Sequence, residues 1–402
     1  MPAPDTWAPA WDLRVGGLSL ADRYRRLITR IRVEASLDGA DELTIEASAW
    51  DEELNEPALM GETILGVGNL VVVYFGYGQD LAPLQRFRLC REEARYSSGA
   101  LPTVVIRGYS AAKTLVDNQK SRTFSAPVAD SDIAENLAQG FGWAIPGDAI
   151  EPTKTRQHSR VKKHGTNDWE WLRQLALANS FGPPLIRYDA AQDNEVLYFR
   201  TTSLHTQAEI ATFIHHPVLA GADQDVGTLL EFAPTLSLAH VPTHVEVVGW
   251  DPVNQAPVKV VMVITETGQE STVLHGRDVG KLSKPPKSGS ELQVKVLTEA
   301  GAEKEKREVL YAGHIQTTDD AVAWATRWLK TRNQAFMVAR AKTIGYEQLW
   351  TGQIHRFEGL APHHAGLWEV LQVTHEMSAE GYTCDLDLAR VLEEAAAPTE
   401  GA

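Results

Sequence analysis

Apolar and polar residues alternate in ITRIRVEASLDGADELTIEASAW, residues 28 to 50. Ile31, Val33 and Ala35, then Leu43, Ile45, Ala47 and Ala49, occupy every second position on either side of an Asp-Gly pair. A period of two broken by a turn dipeptide predicts an antiparallel hairpin with one buried face. NLVVVYFGYG and LQRFRLCREEARYS continue the strand pattern with Gly76 and Gly78 at a bend, and TVVIRGY closes it near residue 109. Residues 1–109 read as an all-β unit.

The period then becomes helical. SAAKTLVDNQ, SDIAENLAQGFG and NDWEWLRQLALANSFG follow, and the last two are expected to stop at left-handed caps on Gly140 and Gly182. Pro183 and Pro184 prevent continuation. LIRYD and EVLYFR, parted by AAQDN, predict another hairpin, so 110–205 reads as a small mixed unit of helices and strands. Strands return from 229 in LLEFAP, HVEVVGW, PVKVVMVI, AKTIGY, LWEVLQVTHEM and YTCDLDLAR. In the last, Tyr382, Cys384, Leu386 and Leu388 face one way and Asp385 and Asp387 the other, the pattern of a half-buried strand. One helix interrupts, TTDDAVAWATRWLKTRNQ, with Ala321, Val322, Ala325, Trp328 and Leu329 on its apolar face. KLSKPPKSGS and the charged EAGAEKEKRE read as an exposed insertion, and EEAAAPTEGA as a short solvated tail.

Length and charge narrow the class. A chain of 402 residues suggests two to four compact units, and 43% hydrophobic with 23% charged residues is a soluble globular composition. Asp5 and Asp12 lie where a signal peptide needs a basic and then an apolar run, and LVVVYF is far short of the roughly 20 residues of a membrane helix. Two cysteines, Cys90 and Cys384, without a CxxC support neither a disulfide framework nor a thiolate zinc site, which fits synthesis in a reducing cytoplasm. The net charge of −15 opposes tight binding to a phosphate backbone. EPTKTRQHSRVKKHG, 151–165, runs the other way with five Lys or Arg against one acid. Without interleaved aromatic residues it reads as a solvated loop or a contact with an acidic neighbour.

Each candidate for chemistry has a simpler structural role. On a helix Asp168 and Glu170 point about 200° apart and cannot converge on one glycosidic oxygen. Asn167 with Glu170 three residues on resembles a capping box, and both acids suit the first turn. VVIRGYSAAKTL imitates the nucleophile elbow of a hydrolase at Ser110, but the hairpins upstream are the wrong context, and Ser110 is expected to be an N-cap. His240 and His244 have zinc-like spacing but flank Pro242, while the His215-His216 and His363-His364 pairs fall in expected loops. GVGNL and GYGQD lack the third glycine and the helix of a dinucleotide site. Eleven tryptophans raise sugar stacking, but most sit within periodic, core-forming patterns. No catalytic, cofactor-binding or metal residue is therefore assigned.

RGYSAAKTLVDNQKSRTF, SDIAENLAQGFGW, NDWEWLRQLALANSFGPPLIRY, PTHVEVVGWDP and RFEGLAPHHAGLWEVLQVTHEMSAEGYTCDLDLAR run in order from about 104 to 390. In that order they resemble the phage late control D family. These are the baseplate hub proteins of contractile tails and related injection systems, kin to the N-terminal part of type VI valine-glycine-repeat spike proteins. The first β unit fits the family's opening barrel, and relatives often carry Asp where Ser110 stands. The insertion around 266–312 departs from the family in length and charge.

The resemblance implies an α+β, mainly β fold: two tube-type antiparallel β-barrels separated by a small mixed α/β insert. The units are 1–109, a first barrel; 110–205, the insert; 206–390, a second barrel with a charged insertion at about 266–312; and 391–402, a flexible tail. It implies a non-enzymatic homotrimer without cofactors that joins a sixfold tail tube to a threefold spike. Partners would be the tail tube protein, a separate central spike protein, baseplate proteins and a tape-measure protein. Neither specific nucleic-acid binding nor membrane insertion is expected. The location would be the virion tail baseplate or an injection particle assembled in the bacterial cytoplasm. The alternatives are a tail-associated hydrolase using Ser110 or the acid pair, and a carbohydrate-binding baseplate module. From the charge, carboxylates such as Glu34, Glu46, Asp385 and Asp387 are expected to line a channel, with the basic run 154–163 away from it.

Overall fold

The structure, a computed structural model, describes the chain apart from residues 1–7, 61–63, 158, 180, 202–210, 216–227, 237–243, 252–253, 265–269, 275–306, 312–314, 316, 319, 323, 326–327, 329–336, 363 and 392–402. The first stretch forms β1 (Pro9–Val15), β2 (Leu18–Ser19), α1 (Asp22–Arg25), β3 (Ile28–Ser36), β4 (Glu42–Ser48), β5 (Trp50–Asp51), β6 (Glu56–Pro57), β7 (Leu70–Tyr77), β8 (Asp80–Arg95) and β9 (Thr103–Ser110). The middle holds α2 (Ala112–Asp117), β10 (Thr123–Phe124), β11 (Val128–Ala129), α3 (Asp130–Phe141), β12 (Thr155–Arg156), β13 (Arg160–Val161), α4 (Asp168–Ala178), β14 (Leu185–Asp189) and β15 (Asn194–Tyr198). Then come β16 (Thr212–Ile214), β17 (Leu229–Leu236), β18 (His244–Asp251), β19 (Ala256–Ile264), β20 (Glu270–Leu274), β21 (Arg307–Tyr311), β22 (Met337–Ile344), β23 (Ile354–Glu358), β24 (Gly366–Ser378) and β25 (Gly381–Arg390).

The alternation at 28–50 produces the hairpin it predicts. Ile31 faces Ile45 and Val33 faces Leu43 across β3 and β4, and all four are buried. A one-residue slip would turn this whole apolar set toward water, so the pattern fixes the register. β7 and β8 form a second hairpin, where Gly76 has no room for a side chain because a Cβ would lie 1.9 Å from Asp80 O.

The two β regions, far apart in sequence, meet edge to edge. β24 pairs antiparallel with β3, matching Met377 to Ile31, His375 to Val33 and Val373 to Ala35. This seam completes a 13-stranded sheet in the order β17-β22-β25-β24-β3-β4-β9-β8-β7-β1-β2, with β23 and β16 attached beside β24. One apolar cluster runs through both halves, from Leu13, Ile31 and Phe75 to Trp350, Trp368 and Leu386. Tyr77 on β7 also crosses the seam, donating to Gly345 O at 2.9 Å. The fold is mainly β with a smaller helical part, as expected from the sequence.

The helical unit has its own core, in which Leu115, Ile133, Leu137, Leu172 and Leu175 pack on Val196, Leu197 and Phe199. Two helix ends differ from expectation. α3 continues past Gly140 and ends on Gly142, which has φ +75° and returns its N–H to the last turn. α4 stops at Asn179, ahead of Gly182, because the Asn179 side chain donates to Leu175 O at 2.8 Å and occupies the end of the helix. Within 206–390, β18 to β21 leave the large sheet and form a four-stranded sheet of their own, β20-β19-β18-β21. Val245, Val247, Val258 and Val260 there pack against Ile315, Ala321, Trp324 and Ala325, with Ala178 from the end of α4. The charged insertion at about 266–312 includes β20 and β21, and the rest of it lies outside the described residues, as does the tail 392–402.

Candidate functional site

Ser110 is not an N-cap. It is the last residue of β9, and the cap position of α2 belongs to Ala111, which makes no side-chain bond. Ser110 is buried, its Oγ accepts from Asp41 N at 3.0 Å, and its own N–H donates to Asp41 O at 3.0 Å. β9 runs antiparallel to both β4 and β8, so the strand context of a nucleophile elbow is missing.

The two acids of α4 diverge as the helical spacing requires. Asn167 caps the helix by accepting from Glu170 N at 2.7 Å, and Glu170 itself is exposed and accepts from Gln174 at 3.1 Å. Only half of the capping box forms. Asp168 is wholly buried and receives Lys162 Nζ at 2.5 Å, Asn118 Nδ2 at 2.7 Å and Arg122 at 2.9 Å. Its role exceeds a helix-dipole contact, because three donors from three segments converge on one carboxylate.

The basic run 151–165 supplies these counterions. Arg160 grips Asp130, the first residue of α3, with two bonds of 2.8 and 2.9 Å, and Asn179 adds a third at 2.8 Å. Arg156 lies 3.8 Å from Asp130 and bonds Asp320 at 2.5 Å, tying the helical unit to the helix beside the four-stranded sheet. Lys162 reaches Asp168, the first residue of α4, and neither side chain is exposed. The acidic neighbour expected for this run is internal. Sequence reasoning missed the pairing, although a signal exists: α3 and α4 each begin with Asp, and bases stand at 154, 156, 160 and 162.

A nucleophile and a base do meet, in a buried place. Cys384 Sγ lies 3.3 Å from His375 Nδ1, which is also 2.8 Å from the Tyr382 hydroxyl, while His375 Nε2 faces Leu349 O at 2.9 Å. That carbonyl requires a proton on Nε2, leaving Nδ1 as the acceptor. All three residues are buried inside the seam. Burial holds His375 down at about 4 and pushes Cys384 up to about 12, so both are neutral, and the thiol is not activated. His355 is similar: burial lowers it to about 4, and its Nδ1 accepts from Ala211 N at 3.2 Å.

Of the other histidines, His215 and His364 are half-buried, while His216, His240 and His363 and the side chain of His244 lie outside the described residues. Among the described residues no group of three His, Cys, Asp or Glu side chains could hold a metal ion, and no helix is long and apolar enough to cross a membrane. Trp143, Trp169, Trp171, Trp324, Trp350 and Trp368 are buried, whereas Trp250 is 52% exposed.

A further charged feature is the outward face of the shared sheet. Glu34 on β3, Glu46 on β4 and Asp385 and Asp387 on β25 all lie on it. Each has a basic partner: Glu34 with Arg32 at 3.1 Å, Glu46 with Arg30 at 3.5 Å, Asp387 with Arg340 at 3.5 Å and Asp385 with Lys342 at 4.0 Å. Arg30 also reaches Glu376 across the seam at 3.5 Å. The face is a mixed-sign ladder in which acids and bases neutralise one another locally.

This architecture recurs in solved structures. A tail protein from Neisseria meningitidis superposes with a TM-score of 0.64 at 12% identity, covering 96% of this chain and 97% of that one. A 43 kDa prophage tail protein from Shewanella oneidensis gives 0.62 at 14% identity, covering 95% and 98%. The chain has the fold of phage tail proteins. An Escherichia coli component of the type VI secretion system, described as structurally similar to the bacteriophage T4 tail proteins gp27 and gp5, gives 0.54 at 11% identity, covering 95% and 77%. The resemblance to tail hubs carried by the segments between 104 and 390 is thus borne out in the fold. No family model and no curated protein matches the chain in sequence.

Proposed function

We propose that the chain is a structural baseplate hub of a contractile phage tail or a related injection particle. The observation that supports this most is two-way coverage: the tail proteins match nearly the whole chain, helical unit and both sheet halves together, with almost nothing left over on either side. The hub acts as a homotrimer between a sixfold tube and a threefold spike, with the two β units of each protomer supplying six tube-type elements. In this arrangement 1–109 and 206–390 provide the ring, 110–205 braces it, and the particle is assembled in the bacterial cytoplasm. Its contacts are the tube protein, a spike, other baseplate proteins and a tape-measure protein.

The reading is non-enzymatic, and the placement of the candidates favours it. Ser110 has a backbone amide where a triad would need histidine, and Asp168 is saturated by three donors. Light scattering on a size-exclusion column tests the assembly: trimers, alone or with the spike protein, are expected, and a stable monomer in the presence of the spike would count against the hub. Hydrolysis of peptidoglycan or an ester by the wild type, lost in Ser110→Ala, would replace the hub with the enzyme reading.

A further inference from the structure

Among the contacts that join the helical unit to the shared sheet, one runs through a buried side-chain amide. Gln85 on β8 donates to Ile186 O at 2.9 Å and accepts from Tyr188 N at 2.8 Å, pairing with β14 as a neighbouring strand would. Its Nε2 also donates to Asp41 Oδ2 at 2.9 Å. Asp41 is fixed in turn by Ser110, whose Oγ accepts from the Asp41 N–H and whose own N–H donates to the Asp41 carbonyl, and Gln85 and Asp41 are 1% and 6% exposed.

The charges around this point are nearly all engaged elsewhere. Arg86 is bonded to Glu195 at 2.7 and 2.5 Å and to Asp193 at 3.2 Å. Asp38, on the same turn as Asp41, pairs with Arg173 of α4 at 3.0 Å. His375 of β24 is neutral, and Tyr188 and Tyr198 of the helical unit have raised values that keep them neutral as well. Arg187 remains. It lies 3.9 Å from the centre of the Trp350 ring, its Nε has no hydrogen-bond partner among the described residues, and it acts on Asp41 through space. That attraction does not offset the burial, which pushes Asp41 up to about 6 despite the bonds from Gln85, Ser110 and the Ser36 backbone.

We propose that Asp41, Gln85 and Arg187 form a proton-sensitive latch: the neutral carboxyl holds the helical unit firmly on the shared sheet, and the ionised form loosens it. A neutral carboxyl still accepts from Gln85 through its carbonyl oxygen while removing the buried charge. When β14 lifts away, water reaches Asp41 and its proton affinity falls to that of an ordinary carboxylate. The docked form therefore binds the proton more tightly. Docking is strongest below about pH 4, weakens as the pH rises to about 6, and is level above it.

Hydrogen exchange of the Tyr188 amide in the full chain, corrected for its intrinsic rate, reads the latch directly. Protection should fall by up to about 100-fold from pH 4 to pH 7.5, the two-unit difference between docked and solvated Asp41. Asp41→Asn should keep the low-pH protection throughout. A wild type with flat protection, or an Asp41→Asn protein with the wild-type profile, would overturn the latch. Should Asp41→Asn fail to fold, carbon NMR titration of the Asp41 carboxyl in the wild type decides: a midpoint near 6 supports the latch, and one below about 4.5 overturns it.

Discussion

The shared sheet and the helical unit have different interiors, although the sheet too buries one carboxylate, Asp12, against Arg14 and Arg25. The sheet encloses aliphatic and aromatic side chains, and polar groups inside its seam such as His375, Tyr382 and Cys384 are neutral and bonded to one another. The helical unit encloses full charges, with Asp130, Asp168 and Lys162 almost without exposure. An apolar interior loses stability in proportion to the surface it gives up. A charged interior fails when one partner is missing, since the other is left buried and alone. The two regions should therefore answer differently to the same kind of change.

The largest effect is expected where a buried charge is orphaned. Asp168→Ala leaves Lys162 facing no anion at zero exposure and should cost about 3–5 kcal/mol in denaturant unfolding. Adding Lys162→Met to the same chain should restore much of the loss, because the pair is replaced by an apolar contact. If the double variant were as unstable as the sum of the singles, the pair would not be the unit of stability, and the contrast with the sheet would fail.

Acid should reverse the order of vulnerability. His375 and His355 have folded values near 4, below the ordinary 6.5, so the stability they contribute is complete above pH 6.5 and is lost as the pH falls toward 4. Each contributes up to about 3 kcal/mol to this loss. Acid thus weakens the sheet over the same window in which it tightens the Asp41 latch. Exchange at Val33 and Met377 on the seam, compared with Tyr188, reads both trends in one sample. Parallel losses at all three sites would show that the two regions do not titrate separately.

The same contrast explains what could be read from the sequence. Alternation at Ile31–Ala35 and at Tyr382–Leu388 gave both the strands and their buried faces, because a period of two is a local pattern that needs no partner to be recognised. The seam between β3 and β24 was hidden, since edges pair through backbone groups that every residue carries. The separate sheet of β18 to β21 was hidden for the same reason. Asp168 and Ser110 were placed in ordinary helix-start roles from their neighbours alone. Their actual partners, Lys162 and Asp41, lie 6 and 69 positions away, and a carboxylate on a page does not say whether water or a lysine will meet it. The buried Cys384–His375 contact was not anticipated at all.

A smaller loss is expected at Ser110. Ser110→Ala removes the acceptor for Asp41 N–H in a buried place, which costs about 1–2 kcal/mol for an unpaired donor. A capping role would give a similar number, so stability alone does not separate the two. The pH profile does: without the Ser110 bond Asp41 is less well held as an anion, and the Tyr188 protection midpoint should move upward. Under a capping role the helix α2 would fray and that midpoint would stay in place.

The smallest effect is expected two residues from the largest. Glu170 shares the first turn of α4 with Asp168, but it is exposed, and among the described residues its side chain bonds Gln174. Its benefit is a helix-dipole contact and one surface hydrogen bond, so Glu170→Gln should lose about 0.5 kcal/mol or less, and added salt should erase most of the difference. Asp168→Asn keeps the shape of the side chain while leaving Lys162 without its counter-charge, and salt has little access to that pair. Comparing the two conservative variants at low and high ionic strength isolates burial from helix position, since both residues lie in the same turn. Equal losses with equal salt dependence would mean that the dipole governs this helix start and that the charged interior of the helical unit adds nothing of its own.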